Sequence, residues 1–387
     1  MIQINPKYIL FLLTLGALFV ASACQSNGDL AEGLSAAGGQ SHKKPAHHQP
    51  VSPTPTTASP ATPVPPPSGH IAFISSRNGK KNLFLMDADG SNQTPLTDSD
   101  SEDSSPRWSL DGTRIAFVSI VNKNADLYIF NVANGTLSRL TNDSGSEAFP
   151  TWSPDGQKVA FESFQSGRWG IYVVNTDGTG LTALVNDTNA DINPVWSPRD
   201  PFVAFVSNYN EGNANIYLAS LDHSLLEKLT NELLPSTDPT WSPDGNRLAF
   251  RFFTSLQIAN ICVVNRDGSA RHCLTDSQWE NGVPAWSPDG HWLAFRSMRS
   301  GTSDIDMVNV DDGSLQSLIT GVAVKGDPIW SPDGFRLLFP GCPQTTTSLT
   351  CENNTNIQIY SIVVATHEVT QLTNSAGYNG DAAWTAR

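Results

Sequence analysis

The chain has 387 residues, 39% of them hydrophobic, and a formal charge of −14 at pH 7. That length can bury a sizeable core, and that charge excludes nucleic acid and anionic lipid surfaces as partners of the folded part. Cationic proteins, glycans and calcium remain compatible with it.

The N-terminus reads as a targeting segment over residues 1–23. Lys7 precedes an almost wholly apolar run from Tyr8 to Ala23, too short for a comfortable membrane span. Ala21-Ser22-Ala23-Cys24 resembles a bacterial lipobox, with Ala21 where such boxes prefer leucine, and Cys24 is the expected lipidation site. Acyl chains anchor a protein at about 0.8 kcal/mol per buried methylene. Gln25 follows, so the aspartate that retains lipoproteins at an inner membrane is not at that position. Residues 24–68 form a tether rich in Pro, Ser, Thr, Ala and Gly, with Pro-Val-Pro-Pro-Pro at 63–67. It has too few large apolar side chains for a core and spans on the order of 40 Å as a random coil. His42, His47 and His48 within it read as solvated linker positions.

Residues 69–387 repeat with a period of about 44 residues, marked by Trp108, Trp152, Trp196, Trp241, Trp286, Trp330 and Trp384. Four of these open the string Trp-Ser-Pro-Asp-Gly. Nine residues separate each of the first six tryptophans from a phenylalanine, and 12 separate a leucine from the next tryptophan. Only one interval varies, so one loop per unit tolerates insertions. Each unit predicts four short strands, A to D, because its apolar runs are brief, β-branched or aromatic, and bounded by turns. Asp-Gly pairs, as at Asp155–Gly156 and Asp177–Gly178, suit the tight hairpins between them.

Such a period predicts an all-β, seven-bladed β-propeller. The first unit lacks strand A and the last fragment is strand A alone, so one blade is expected to be closed by both termini. Cys262 and Cys273 flank the turn at 266–269 symmetrically and should pair across strands C and D. Cys342 and Cys351 bracket the long 340–358 loop and are the second expected disulfide.

The unit Pro-x-Trp-Ser-Pro-Asp-Gly, followed by Ala-Phe, Ile-Tyr and Leu-Thr strands, resembles the WD40-like (PD40) repeat of TolB-type propellers. The resemblance covers 69–387. Prolyl-oligopeptidase-type peptidases and oligogalacturonate lyases carry related rings. TolB itself has an α/β domain before six blades, so the resemblance does not carry over a Tol–Pal role. The Gly-x-Ser-x-Gly elbow of the peptidases does not occur. The lyases' histidine-rich metal site has no counterpart, because His70, His223, His272, His291 and His367 fall at turns of five different blades.

The D–A and B–C connections share one face, around the channel mouth, and recognition is expected there. Trp169, Tyr209, Trp279 and Tyr378 are aromatics beyond the repeat template on that face. Asp238, Asp327 and Asp381 recur at one position and should ring the mouth. The run Asp98, Asp100, Glu102, Asp103 is the densest acidic stretch and reads as a solvated loop, although calcium would suit such ligands. Asp306 replaces the strand-C aromatic, with Arg296 and Arg299 as its expected ion-pair partners. No nucleophile–base constellation, cofactor motif or metal-spaced histidine cluster is found. The expected function is a non-enzymatic, lipid-anchored extracytoplasmic scaffold, a monomeric ring offering its loop face to an envelope protein. A glycan-binding module is the alternative, and a polysaccharide lyase or hydrolase at the channel mouth a third reading.

Overall fold

The computed structural model describes residues 64–97, 101–165, 167–207, 214–255, 257–276, 278–299, 303–320, 326–342 and 356–386. It contains seven four-stranded antiparallel sheets and, among the described residues, no helix. The sheets are the expected blades. We number them 1 to 7 from the one that contains His70–Ser75. The strand ending at each tryptophan is innermost, since only these strands touch one another in an unbroken cycle. They are Glu102–Trp108, Glu147–Trp152, Ile192–Trp196, Ser236–Trp241, Ala285–Trp286 and Ile329–Trp330 in blades 2 to 7.

Blade 1 is built from both ends of the chain. Its inner strand is Asn379–Thr385, antiparallel to His70–Ser75, with Trp384 opposite Ile71 and Thr385 opposite His70. Pairing first and last strands removes the free edges an open sheet would leave.

The hydrophobic core is distributed over the seven joints. Each of seven clusters draws side chains from two adjacent blades, as where Ala116, Val118 and Leu127 of blade 2 meet Trp152, Val159 and Phe161 of blade 3. Phe73, Phe117, Phe161, Phe205, Phe250, Phe295 and Phe339, one per blade, are all but fully buried. Each contributes about 2–3 kcal/mol by burial.

The tryptophans add a polar staple across the joints. Trp152 donates its indole N–H to the carbonyl of Arg107 at 2.9 Å, and Arg107 immediately precedes the tryptophan of the blade before. The same bond joins Trp108 to Ala383, Trp241 to Val195, Trp286 to Thr240 and Trp330 to Ala285, at 2.9–3.2 Å. Trp384 instead reaches the Ser68 carbonyl at 3.0 Å. Trp196 breaks the series, because its indole nitrogen is buried without a partner.

The Ser-Pro-Asp-Gly string after the tryptophan closes the A–B hairpin. Ser153 Oγ donates to Asp155 at 2.6 Å and accepts from Lys158 N–H, while Asp155 also accepts from Gln157 N–H. Gly156 has φ of 66°, which glycine adopts without strain. Cys262 and Cys273 lie directly opposite each other and are bonded. Cys342 is disulfide-bonded, while Cys351, Cys24 and the tip of the 340–358 loop lie outside the described residues.

Removing residues 381–387 deletes most of the inner strand of blade 1 and should lower the melting temperature by roughly 10 °C or more, or abolish the cooperative transition. An unchanged thermal melt would contradict the closure.

Candidate functional site

Five of the seven inner strands carry an irregularity about three residues before the tryptophan. The register to the second strand shifts there in blades 1 to 5. Ser105, Phe149, Asn193, Asp238 and Asp381, the residues at this position in those blades, have φ of 54°, 49°, 53°, 54° and 45°. The bulge takes each of them out of the regular alternation of its strand, leaving Phe149 and Asp381 exposed and Ser105, Asn193 and Asp238 part-buried. Asn and Asp tolerate this left-handed conformation, whereas a bulky residue pays more strain there. Phe149 holds it with its ring 42% exposed. Equivalent positions meet across joints: Asn193 Nδ2 donates to Asp238 at 3.3 Å, and Val283 N–H donates to Asp327 at 3.2 Å.

One sector of this ring is a charge network over blades 5 to 7. Arg251 donates from Nη1 to Asp238 and from Nη2 to Glu280, both at 3.2 Å, and from Nε to the Asn281 carbonyl at 2.9 Å. Arg296 stands 3.7 Å from Glu280 and 3.8 Å from Asp327. Burial raises the carboxyl pKa of Asp327, and Arg296 and Arg251 pull it back. Beside that sector, at blade 1, Tyr378 donates its hydroxyl to Asp381 at 2.8 Å, and Lys81 lies 4.7 Å over the Tyr378 ring. Burial and the nearby Asp381 carboxylate hold the Tyr378 phenol far above its ordinary pKa.

Asp238 thus meets Arg251, Asp327 meets Arg296, and Asp381 meets Tyr378. Asp306 takes Arg299 as expected, at 3.4 Å. Arg296 is not its partner. Asp306 is registered opposite Phe295, so Arg296 projects from the other face of the strand, toward Glu280 and Asp327. Trp169 is part-buried against Phe164, ring centroids 5.4 Å apart, with its indole nitrogen buried and unpartnered. Trp279 is 48% exposed and belongs to a different blade connection, so the two do not form one platform. Tyr209, Asp98 and Asp100 lie outside the described residues. Asp103 overturns the solvated-loop expectation for its run. It is 1% exposed and accepts from Ser119 at 2.6 Å and Thr97 at 2.5 Å. Among the described residues no three His, Cys, Asp or Glu side chains are grouped to hold a metal ion. Arg251 and Glu280 escaped the sequence reading because neither belongs to the repeat template, Arg251 following the strand-B phenylalanine and Glu280 lying in the connection that leads to Trp286.

A family model described as the TolB beta propeller domain matches residues 68–232 and 227–387. The chain belongs to the TolB β-propeller family. TolB from Acinetobacter baumannii is similar in structure, with 19% identity and a TM-score of 0.54 over 82% of this chain and 66% of that one. This chain therefore spans just under two thirds of that TolB. An oligogalacturonate lyase in complex with manganese has 15% identity and a TM-score of 0.60 over 70% of this chain and 82% of its own. A puromycin hydrolase has 14% identity and a TM-score of 0.62 over 80% of this chain and 52% of its own. At such identities the likeness shows the fold. No curated protein matches at the sequence level.

In this TolB-family ring a second polar position lies five residues before the tryptophan, and it is buried. Glu147 accepts from Thr141 and Ser163, both at 3.0 Å. Asp191 at the same position is fully buried, and neither carboxyl oxygen makes a hydrogen bond of good geometry. The threonine that would reach it is replaced by Val185. Burial, with Asp187 adding to it and the Ser207 hydroxyl opposing, lifts Asp191 to about 6. Burial also lifts Glu147 to about 7, helped by Asp143, and Glu162 to about 7, against the N–H that Asn193 donates.

These carboxyls bind protons more tightly folded than unfolded. The stability they confer is complete below the ordinary carboxylate range and is lost as pH rises through about 6 to 7. The melting temperature should fall between pH 5 and pH 8, and Glu162→Gln should flatten that slope. A flat or rising profile in the parent ring would contradict neutral buried carboxyls.

Proposed function

We propose that this TolB-family ring is a non-enzymatic scaffold of the cell envelope, anchored through acylated Cys24 and carried on the 24–68 tether, with its channel mouth as the docking surface for a protein partner. The observation that carries this reading is the mouth itself. A strained, exposed Phe149 stands on the same ring as Asp238, Asp327 and Asp381, two of them ion-paired to arginines and the third bonded to Tyr378. An apolar anchor amid fixed, paired charges is the composition of a recognition surface, in which the aromatic supplies affinity and the charges supply register. The acidic balance of the chain favours a partner with a cationic rim.

The ring, residues 66–387, would be used to retain partners from solubilised envelope of the host, with Phe149→Asn as control. Asparagine accepts the left-handed backbone, so the variant should melt at or above the parent while losing the partner by at least ~10-fold. Equal retention by both proteins would contradict the mouth as the docking surface.

A further inference from the structure

On the face of the A–B hairpins, opposite the mouth, two blade joints share a second arrangement. Arg114 begins strand B of blade 2. Its guanidinium lies 4.9 Å from the ring centroid of Trp152 in blade 3, donates from Nη2 to the Gly156 carbonyl of that blade's hairpin at 2.8 Å, and stands 3.8 Å from Asp111. Arg247, at the same position of blade 5, repeats this on blade 6. It lies 5.1 Å from the Trp286 centroid and donates to the Gly290 carbonyl at 3.3 Å, and Asp244 holds the place of Asp111. Trp152 and Trp286 are each buried beneath their arginine. Three groups thus receive the guanidinium: an indole face, a hairpin carbonyl and a carboxylate.

The joint between blades 6 and 7 has the same three groups and, among the described residues, no arginine over them. Trp292 stands where Arg114 and Arg247 stand. Asp289, Trp330 and Gly334 occupy the positions of Asp111, Trp152 and Gly156. All three line an open groove of about 210 Å³, together with Trp292, Met307 and Val364. Trp330 is part-exposed there. At the other joints a basic residue of the ring stands at or beside this position. His70, Lys158 and Arg336 begin strand B of blades 1, 3 and 7. In blade 4, where Phe202 begins the strand, Arg199 reaches the next hairpin and donates to the Pro243 carbonyl at 3.3 Å. Blade 6 has neither, because Asp289 holds the place of Arg199.

We propose that this groove receives the arginine side chain of a partner polypeptide. The planar guanidinium lies on Trp330 with its edge toward the Gly334 carbonyl and Asp289, and its methylene stem runs along Trp292 and Val364. The occupant is fixed by the molecule itself, since its own arginines fill the same three-group site at two other joints. A lysine fits less well, because a compact ammonium does not stack on an indole while donating edge-on. Lys158, at this position in blade 3, donates instead to the Asn175 side chain of its own blade. The acidic balance of the chain favours the approach of a cationic segment. This site lies on the face away from the mouth and stands or falls independently of docking there.

The test uses the ¹⁵N-labelled ring, residues 66–387, which holds all seven blades. N-acetyl-glycyl-arginyl-glycinamide and its citrulline and lysine counterparts are titrated in turn, and the indole N–H signals are followed. The arginine peptide should shift the Trp330 and Trp292 signals and leave those of Trp152 and Trp286, already covered by arginines, in place. It should bind at least ~10-fold more tightly than the citrulline peptide, which has nearly the same shape without the charge. Trp292→Arg rebuilds the arrangement of blades 2 and 5, so it should melt at or above the parent and abolish binding. Asp289→Asn keeps an acceptor for its hairpin and should weaken binding by at least ~3-fold. Absence of a shift with the arginine peptide, equal binding of the citrulline peptide, equal shifts at Trp152 and Trp286, or undiminished binding in either variant would each overturn the assignment. A lysine peptide that binds as tightly as the arginine peptide would overturn the choice of a guanidinium.

Discussion

The indole N–H of one blade bonded to a carbonyl of the blade before is the interaction on which the ring depends. Each repeat buries its phenylalanine and its short strands only against a neighbour, so no blade is stable alone and the joints must be held in one register. Apolar contact gives the joints their free energy but little direction. The indole bond gives direction. It ties a fixed position of one inner strand to a fixed position of the next, and five of the seven tryptophans make it in identical form. Trp384 departs by bonding to Ser68, on the segment leading into the first strand, so the tryptophan of the closing strand also tethers the chain's entry into the ring. The functional surface follows from this lock. The bulge that carries Phe149, Asn193 and Asp238 lies three residues from the staple, so the mouth inherits the precision of the joints.

The joint between blades 3 and 4 is built differently from the rest. Trp196 has no acceptor for its indole nitrogen, Asp191 has no good hydrogen bond, and Trp169 also buries an unpartnered N–H. A buried polar group left in this state costs about 1–3 kcal/mol. Glu162 crosses the same joint to accept from Asn193, and its lifted pKa keeps it largely protonated in mildly acidic conditions. This joint lacks the indole staple and is crossed instead by the Trp196 backbone N–H, which donates to Thr151 Oγ1 at 3.1 Å, and it gathers carboxyls that burial favours in their neutral form.

Much of the fold was legible in the sequence because the repeat is a physical unit. The constant leucine-to-tryptophan spacing is the path from the outer strand of one blade to the inner strand of the next, and a path through packed blades tolerates no insertion. Closure by a C-terminal strand followed from counting strands, which put it at 381–387 where the structure has Asn379–Thr385, and the Cys262–Cys273 pair followed from hairpin symmetry. The site was legible only in part. Asp238, Asp327 and Asp381 were visible because they share a repeat position. Arg251 and Glu280, which join Asp238 and Asp327 to one network, occupy positions where the other repeats place unrelated side chains, and only three-dimensional proximity gives them meaning. Asp103 was misread because an acidic run in a loop looks solvated, whereas the bulged strand buries every residue five before a tryptophan that the structure describes. That position was recoverable, since Asp103, Glu147, Asp191, Asn281 and Asn379 are polar at constant spacing and a threonine precedes four of them by six residues.

The most direct test of this account compares the denaturant unfolding free energies of Trp241→Phe and Trp196→Phe. Both tryptophans are buried at equivalent positions, at 8% and 6% exposure, and both substitutions remove the same volume. Trp241 gives up a bond to Val195 and leaves that carbonyl unpaired, whereas Trp196 gives up only an unpartnered N–H. Trp241→Phe should therefore be the more destabilising by about 1–3 kcal/mol. Equal losses, or a larger loss at Trp196, would show that the tryptophans act by packing alone and that the indole bond does not hold the ring.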